Sequence, residues 1–96
     1  MTALKQKPTM RQIWQTSQGH LKLMFYDPCI WQENIAPLVP ASWQNGILTL
    51  AAPSHGVRDL CAIRLNRLIQ REVSLEAGCP VTINYIVQPP HEETPC

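Results

Sequence analysis

The stretch 45–70, NGILTLAAPSHGVRDLCAIRLNRLIQ, constrains the fold more than any other part of the chain. It reads as a turn, a short buried strand, a proline-serine break and one long amphipathic helix. Asn45-Gly46 is a hairpin signal, because both residues tolerate the positive φ that a type I′ turn demands. Ile47, Leu48 and Leu50, with Thr49 between them, supply the apolar and β-branched content of a strand. After Pro53, Ser54 is placed to cap a helix by accepting a hydrogen bond from an orphan backbone N–H. From Val57 onward the apolar residues Val57, Leu60, Cys61, Leu65, Leu68 and Ile69 recur at spacings of three and four, which predicts one buried helical stripe.

The rest of the chain supplies partners for that strand-helix unit. Residues 1–8 read as a flexible polar arm. Thr9-Met10-Arg11-Gln12 matches a capping box, so a helix should begin at Met10. Its core-facing side is predicted to carry Met10, Ile13, Trp14, Ser17, Leu21 and Met24, with Arg11, Gln15, Gln18 and Lys22 opposite. At about 100° per residue Trp14 falls on the border, beside Arg11 and Gln18, where a large aromatic is either a lid on the core or a partner contact. Asp27-Pro28 suits an N-cap and first helical position, opening a second helix that Pro37 stops near Ile35. Residues 38–43 read as the first strand of the hairpin, an edge or bulged strand because Pro40 cannot donate to a ladder. Gly78 and Pro80 mark a turn-rich link over 75–80. Val81, Ile83, Tyr85 and Val87 then alternate with Thr82, Asn84, Ile86 and Gln88, the signature of a half-buried strand. Residues 89–96 read as a flexible tail or the start of a linker. The expected order is helix, helix, strand, strand, helix, strand over 9–88: a single α+β domain with helices packed on a three-stranded sheet.

Composition narrows the function classes. Ninety-six residues with 45% hydrophobic and 16% charged suit one globular domain. A formal net charge of +1 gives no global attraction to nucleic acid, so any basic contribution must come from local clustering. The amino-terminal residues hold no apolar run resembling a secretory signal, and no stretch is apolar and long enough to span a bilayer, so the expectation is a cytoplasmic protein with no membrane role. Cys29, Cys61, Cys79 and Cys96 include no C-x-x-C pair. Without a secretory context they read as reduced, with Cys29 and Cys61 filling core volume and Cys79 and Cys96 in loop and tail. Neither a metal motif nor a Gly-rich phosphate loop is present in the sequence. His20 and His55 are the only histidines inside the predicted fold, and neither is paired with a nucleophile better explained by catalysis than by capping. The reading is non-enzymatic, with no cofactor.

Three segments together resemble a known family. Trp14 in a first helix, Asn34-Ile35-Ala36-Pro37-Leu38, and Leu48-Thr49-Leu50-Ala51-Ala52-Pro53-Ser54 followed by a long helix and a last strand look like the N-terminal domain of the bacterial replication initiator DnaA. The similarity spans roughly residues 10–87. It implies a fold related to the K-homology domain, and a protein–protein interaction domain in replication initiation that recruits the replicative helicase or a regulator and forms a weak homodimer. The resemblance implies self-association through Trp14, flanked here by Arg11 and Gln18. By position it implies a partner surface at Ile30 and Trp31 in the second helix and at Gly56 and Arg58 at the start of the long one. The chain departs from the family where it has Ile30 for an acidic residue, Asn34 for a tryptophan and Gly56 for an aromatic.

Independently of that resemblance, Ile63 lies about 160° from the centre of the long helix's stripe and should face solvent, beside Arg64, Arg67 and Arg71. Ile63 with Arg67 is a second candidate partner surface, since arginine is enriched at interfaces. The same arginines could meet phosphates, which leaves weak, sequence-independent binding of single-stranded nucleic acid as the alternative function. K-homology modules that grip nucleic acid use a G-x-x-G loop, absent from this sequence, and Trp43 and Tyr85 are the only strand aromatics available for stacking.

Overall fold

A computed structural model describes residues 9–88 of the chain; the amino-terminal arm and the tail expected from the sequence lie outside them. The elements run α1 (Met10–Lys22), α2 (Pro28–Ile30) continued by a π-turn (Trp31–Ile35), β1 (Val39–Gln44), β2 (Ile47–Ala52), α3 (His55–Leu60), a second π-turn (Cys61–Leu65), α4 (Asn66–Ala77) and β3 (Thr82–Val87). This is the expected α+β order.

The capping box forms as read: Thr9 Oγ1 accepts from the Gln12 N–H at 3.1 Å and Gln12 Oε1 accepts from the Thr9 N–H at 2.8 Å. The helix ends at Lys22, two residues before the expected Met24, and Met24 is consequently exposed rather than in the core. Asn45 and Gly46 take φ of 52° and 77°, so the β1–β2 hairpin closes through the residues that favour a positive φ. β1 pairs antiparallel with β2, and its register shifts between Pro40 and Ser42, the irregularity that Pro40 imposes. β2 pairs parallel with β3. A parallel pair needs a long crossover, which the helical run from His55 to Ala77 provides.

That run is longer than the sequence suggested and is not a uniform α-helix. The link expected over 75–80 is helical through Ala77, and Gly78 ends it in the left-handed conformation at φ 79°. Its apolar residues Val57, Cys61, Leu65, Ile69 and Val73 advance by four, and each such step overshoots a turn of α-helix by about 40°. The π-turn takes up an extra residue and cancels much of that drift, so Cys61, Ile69 and Val73 are all buried on one side.

The core forms between this run, α1 and the inner face of the sheet. Leu48, Leu50 and Ala52 of β2 and Ile83 of β3 point inward, against Ile13, Trp14 and Leu21 of α1 and Ile69 and Val73 of α4. Two polar side chains are buried with them. Glu72 is held by His20, whose Nδ1 lies 3.2 Å from Glu72 Oε1 and 3.6 Å from Glu76 Oε1, so His20 bridges α1 to α4. Ser17 Oγ has no hydrogen-bond partner among the described residues. The cysteines divide differently from expectation, with Cys61 buried but Cys29 exposed on the short α2.

Candidate functional site

The second helical segment is fastened to α1 by three side chains. Asp27 caps it, its Oδ1 accepting from the Cys29 N–H at 2.9 Å, and Pro28 occupies the first turn. Gln18 reaches across from α1, and its amide donates to the carbonyl of Ile35 at 3.1 Å, which also accepts from the Leu38 N–H, and to that of Ala36 at 3.2 Å, at the end of the segment where intrahelical donors run out. In return the Trp31 indole N–H donates to the backbone carbonyl of Gln18 at 3.0 Å, while Lys22 Nζ stands 5.1 Å from the centre of the same indole ring. The inward side of the segment is thereby fixed, and its outward side carries Cys29, Gln32, Glu33 and Ile30.

The three residues expected to form a self-contact do not form one surface. Trp14 is only 2% exposed, and its indole N–H donates to the Leu38 carbonyl at 3.0 Å. Of the two roles open to it at the border of the stripe, it takes that of core, because the chain entering β1 closes over it. Gln18 is half-buried with its amide turned onto the second segment, and only Arg11 is exposed. The expected self-association through Trp14 and Gln18 is therefore corrected: neither side chain is presented to a second copy while the fold is closed.

The expected partner positions are more accessible. Ile30 is 39% exposed, and Trp31 is half-buried. Gly56 is exposed in the first turn of α3, and a Cβ there would meet nothing closer than Ser54 Oγ at 3.9 Å. Arg58 is half-buried, its guanidinium engaged by the adjacent Asp59 carboxylate at 2.9–3.0 Å. α3 and the second π-turn pack against the second segment, where Cys61 Sγ donates to the Asn34 carbonyl at 3.5 Å, one turn beyond Ile30. The structure thus brings the two halves of the expected surface onto neighbouring helices.

Ile63 faces solvent as expected, 78% exposed, with Arg64 and Arg67 also exposed. Among the described residues the acids of the long helix are engaged elsewhere, Asp59 by Arg58 and Glu72 and Glu76 by His20, and Arg64, Arg67 and Arg71 make no ion pair. The strand aromatics are not free to stack on bases: Trp43 and Tyr85 pack on the core, and the Tyr85 hydroxyl bonds Asn66 Oδ1 at 3.0 Å.

Sequence reasoning passed over the most exposed apolar segment. In the turn between α1 and α2, Leu23 is 85% exposed and Tyr26 fully so, with Met24 beside them, while Phe25 alone packs on the core. The signal was present in Leu23-Met24-Phe25-Tyr26, four large apolar residues in a row between a helix end and an N-cap, since a turn cannot point all of them inward.

Reactive chemistry finds little support at these positions. Cys29 is exposed, but the charge of Asp27 and its hydrogen bond push the thiol pKa upward, away from a nucleophilic thiolate. Burial drives Cys61 to about 11. Among the described residues no group of three or more His, Cys, Asp or Glu is placed to hold a metal ion, and no helix is long and apolar enough to cross a membrane. No model of a known protein family matches the chain, and no curated protein matches it with significant similarity.

Proposed function

We propose that the chain is a non-enzymatic protein–protein interaction domain of DNA replication initiation, acting in the cytoplasm. It docks a replication partner, the replicative helicase or a regulator, on the surface made by the α1–α2 turn, the second helical segment and the start of α3. The observation that carries this reading is the exposed apolar series Leu23, Met24, Tyr26 and Ile30 on a segment whose other side is pinned to α1. Exposed apolar groups on a rigid support are what a docking surface requires, because little conformational freedom is lost on binding. The sequence resemblance to the initiator's N-terminal domain supplies the partner class.

The test is biolayer interferometry with purified replicative helicase. Saturable binding that a Tyr26→Ser, Ile30→Ser double substitution weakens at least tenfold supports the reading. Absence of binding, or equal binding by the folded variant, overturns it.

Arg64, Arg67 and Arg71, without an ion pair among the described residues, favour one second reading, weak association with single-stranded nucleic acid. Fluorescence anisotropy of a labelled oligonucleotide over a salt series separates the two. Three phosphate contacts give a log–log salt slope of about −2, whereas helicase docking through apolar side chains is far less sensitive to salt.

A further inference from the structure

The sheet has two edges, and they are built differently. At the β1 edge, Pro40 removes a donor and the register is interrupted beside it, two devices that discourage strand addition. The β3 edge has neither device. Thr82–Val87 contains no proline, no register break and no charged residue, and among the described residues β3 pairs only with β2.

Its backbone shows which groups are free. The Thr82 N–H donates to the Gly46 carbonyl and the Gln88 N–H to the Ala52 carbonyl, both at 2.8 Å. Along a parallel ladder alternate residues serve the same neighbour. Thr82, Asn84, Ile86 and Gln88 therefore face β2, while Ile83, Tyr85 and Val87 turn their N–H and C=O outward. Val81 has the same outward orientation, but both its backbone groups are already engaged by Ser74 Oγ, at 2.9 and 3.4 Å. The open edge is thus the run 83–87.

We propose that this open edge of β3 is a self-pairing surface, on which a second copy of the chain lays its own β3 antiparallel and extends the sheet from three strands to six. Symmetry and hydrogen bonding select one register. With Tyr85 opposite Tyr85 of the second copy, Ile83 faces Val87 and Val87 faces Ile83, and all the outward backbone groups on both strands find partners. Centring the pair on Ile83 sets Tyr85 against Val81, whose groups Ser74 holds. Centring it on Val87 sets Tyr85 against Pro89, which has no N–H. The Tyr85 register also keeps inward residues opposite inward ones and places the exposed Asn84 opposite Ile86 on the solvent face. No like charges meet, because neither strand carries a charge. One strand pair of this length falls in the small, transient class of interfaces, so the dimer is weak. It also gives the chain a route to self-association that does not need the buried Trp14.

The experiment is sedimentation velocity over a concentration series up to about 1 mM. The wild type is compared with two double variants changed only at exposed positions, Asn84→Lys with Ile86→Lys and Asn84→Lys with Ile86→Glu. In the proposed register the first sets lysine against lysine twice and is expected to weaken the dimer about tenfold; the second sets lysine against glutamate twice and restores association to the wild-type level or beyond. Amide hydrogen exchange on the wild type supplies an independent readout, with protection at Ile83, Tyr85 and Val87 rising with concentration. A wild type that stays monomeric throughout overturns the proposal. So does a lysine–lysine variant that associates like the wild type, or edge amides whose protection is independent of concentration, the result expected if another part of the same chain covers the strand. None of these variants touches Tyr26 or Ile30, so failure here leaves helicase docking to its own test.

Discussion

The indole N–H of Trp14 donates to the backbone carbonyl of Leu38 at 3.0 Å, joining the first helix to the chain just before β1. The bond is buried, so Trp14 serves the fold both as apolar volume and as the partner of a carbonyl that has no access to water. Trp14→Ala is expected to cost about 3–5 kcal/mol through cavity formation. Trp14→Phe keeps most of the volume but orphans the carbonyl, at about 1–3 kcal/mol. Urea denaturation followed by circular dichroism measures both. Any loss of self-association in Trp14→Ala should track unfolding and be absent from the folded Trp14→Phe variant.

Ser17 lies one turn further along α1 in a fully buried position, its hydroxyl without a partner among the described residues. A hydroxyl that has given up water and gained nothing is a cost, and serine is also a weaker helix former than alanine. Ser17→Ala should therefore raise stability by about 1 kcal/mol, read as a higher urea midpoint at unchanged slope. A lower midpoint would mean that the hydroxyl is satisfied in solution.

Two glycines of the long helical run should respond with opposite signs. Gly56 sits in the first turn of α3, where a Cβ would make only an ordinary contact with Ser54 Oγ at 3.9 Å, so Gly56→Ala gains about 0.5–1 kcal/mol by restricting the unfolded chain. Gly78 terminates α4 at φ 79°, where an L side chain is strained, so Gly78→Ala loses about 1 kcal/mol despite open space there. Thermal melts of the two variants decide the matter.

Burial raises Cys61 from 9.0 to about 11 and pushes Tyr85 further above its ordinary value of 10.0. Both are acids whose folded-state pKa is raised, so their neutral forms favour folding. That contribution is fully present below the unfolded-state values and lost as pH climbs through the folded ones. Between about pH 9 and pH 11 the unfolded chain sheds protons that the folded chain retains, and stability must fall. Urea midpoints measured across that window should decline steadily. In Cys61→Ala the decline should be shallower at its start, because the exposed Cys29 thiol, raised by Asp27, contributes little, and should steepen as the tyrosine begins to ionise.

What could be read from the sequence was local. The Thr9–Gln12 capping box, the Asn45-Gly46 turn and the alternation from Val81 to Gln88 involve residues within a few positions of each other, and each took its expected form. What escaped depends on distant neighbours. The wheel leaves Trp14 at a border, and only the chain at Leu38, 24 residues on, puts it inside. Met24 belongs to the inward stripe only if α1 continues past Lys22, and it ends there. Cys29 reads as core volume, yet α2 has 3 residues, none of them buried. The exposure of Ile63 was legible from the helical wheel, but that of Leu23 and Tyr26 was not, because they sit in a turn where no periodicity marks a face.

That turn also separates a docking role from a structural one. Leu23 and Tyr26 are almost wholly exposed, and apart from cap contacts of the Leu23 backbone they make no hydrogen bond among the described residues. Leu23→Ser with Tyr26→Ser should leave stability within about 0.5 kcal/mol of the wild type, as for surface substitutions generally. Trp31 stands next to the same surface, but its indole holds Gln18 and packs on the core, so Trp31→Ala should reduce both stability and binding. If the turn and Ile30 form the docking surface, the double serine variant loses helicase affinity at least tenfold with an unchanged denaturation curve. If instead only Trp31→Ala weakens binding, and in proportion to its destabilisation, the turn is not the surface and the exposed apolar side chains have another role. Denaturation and interferometry on the same preparations give both quantities, and the pattern across the two variants decides between them.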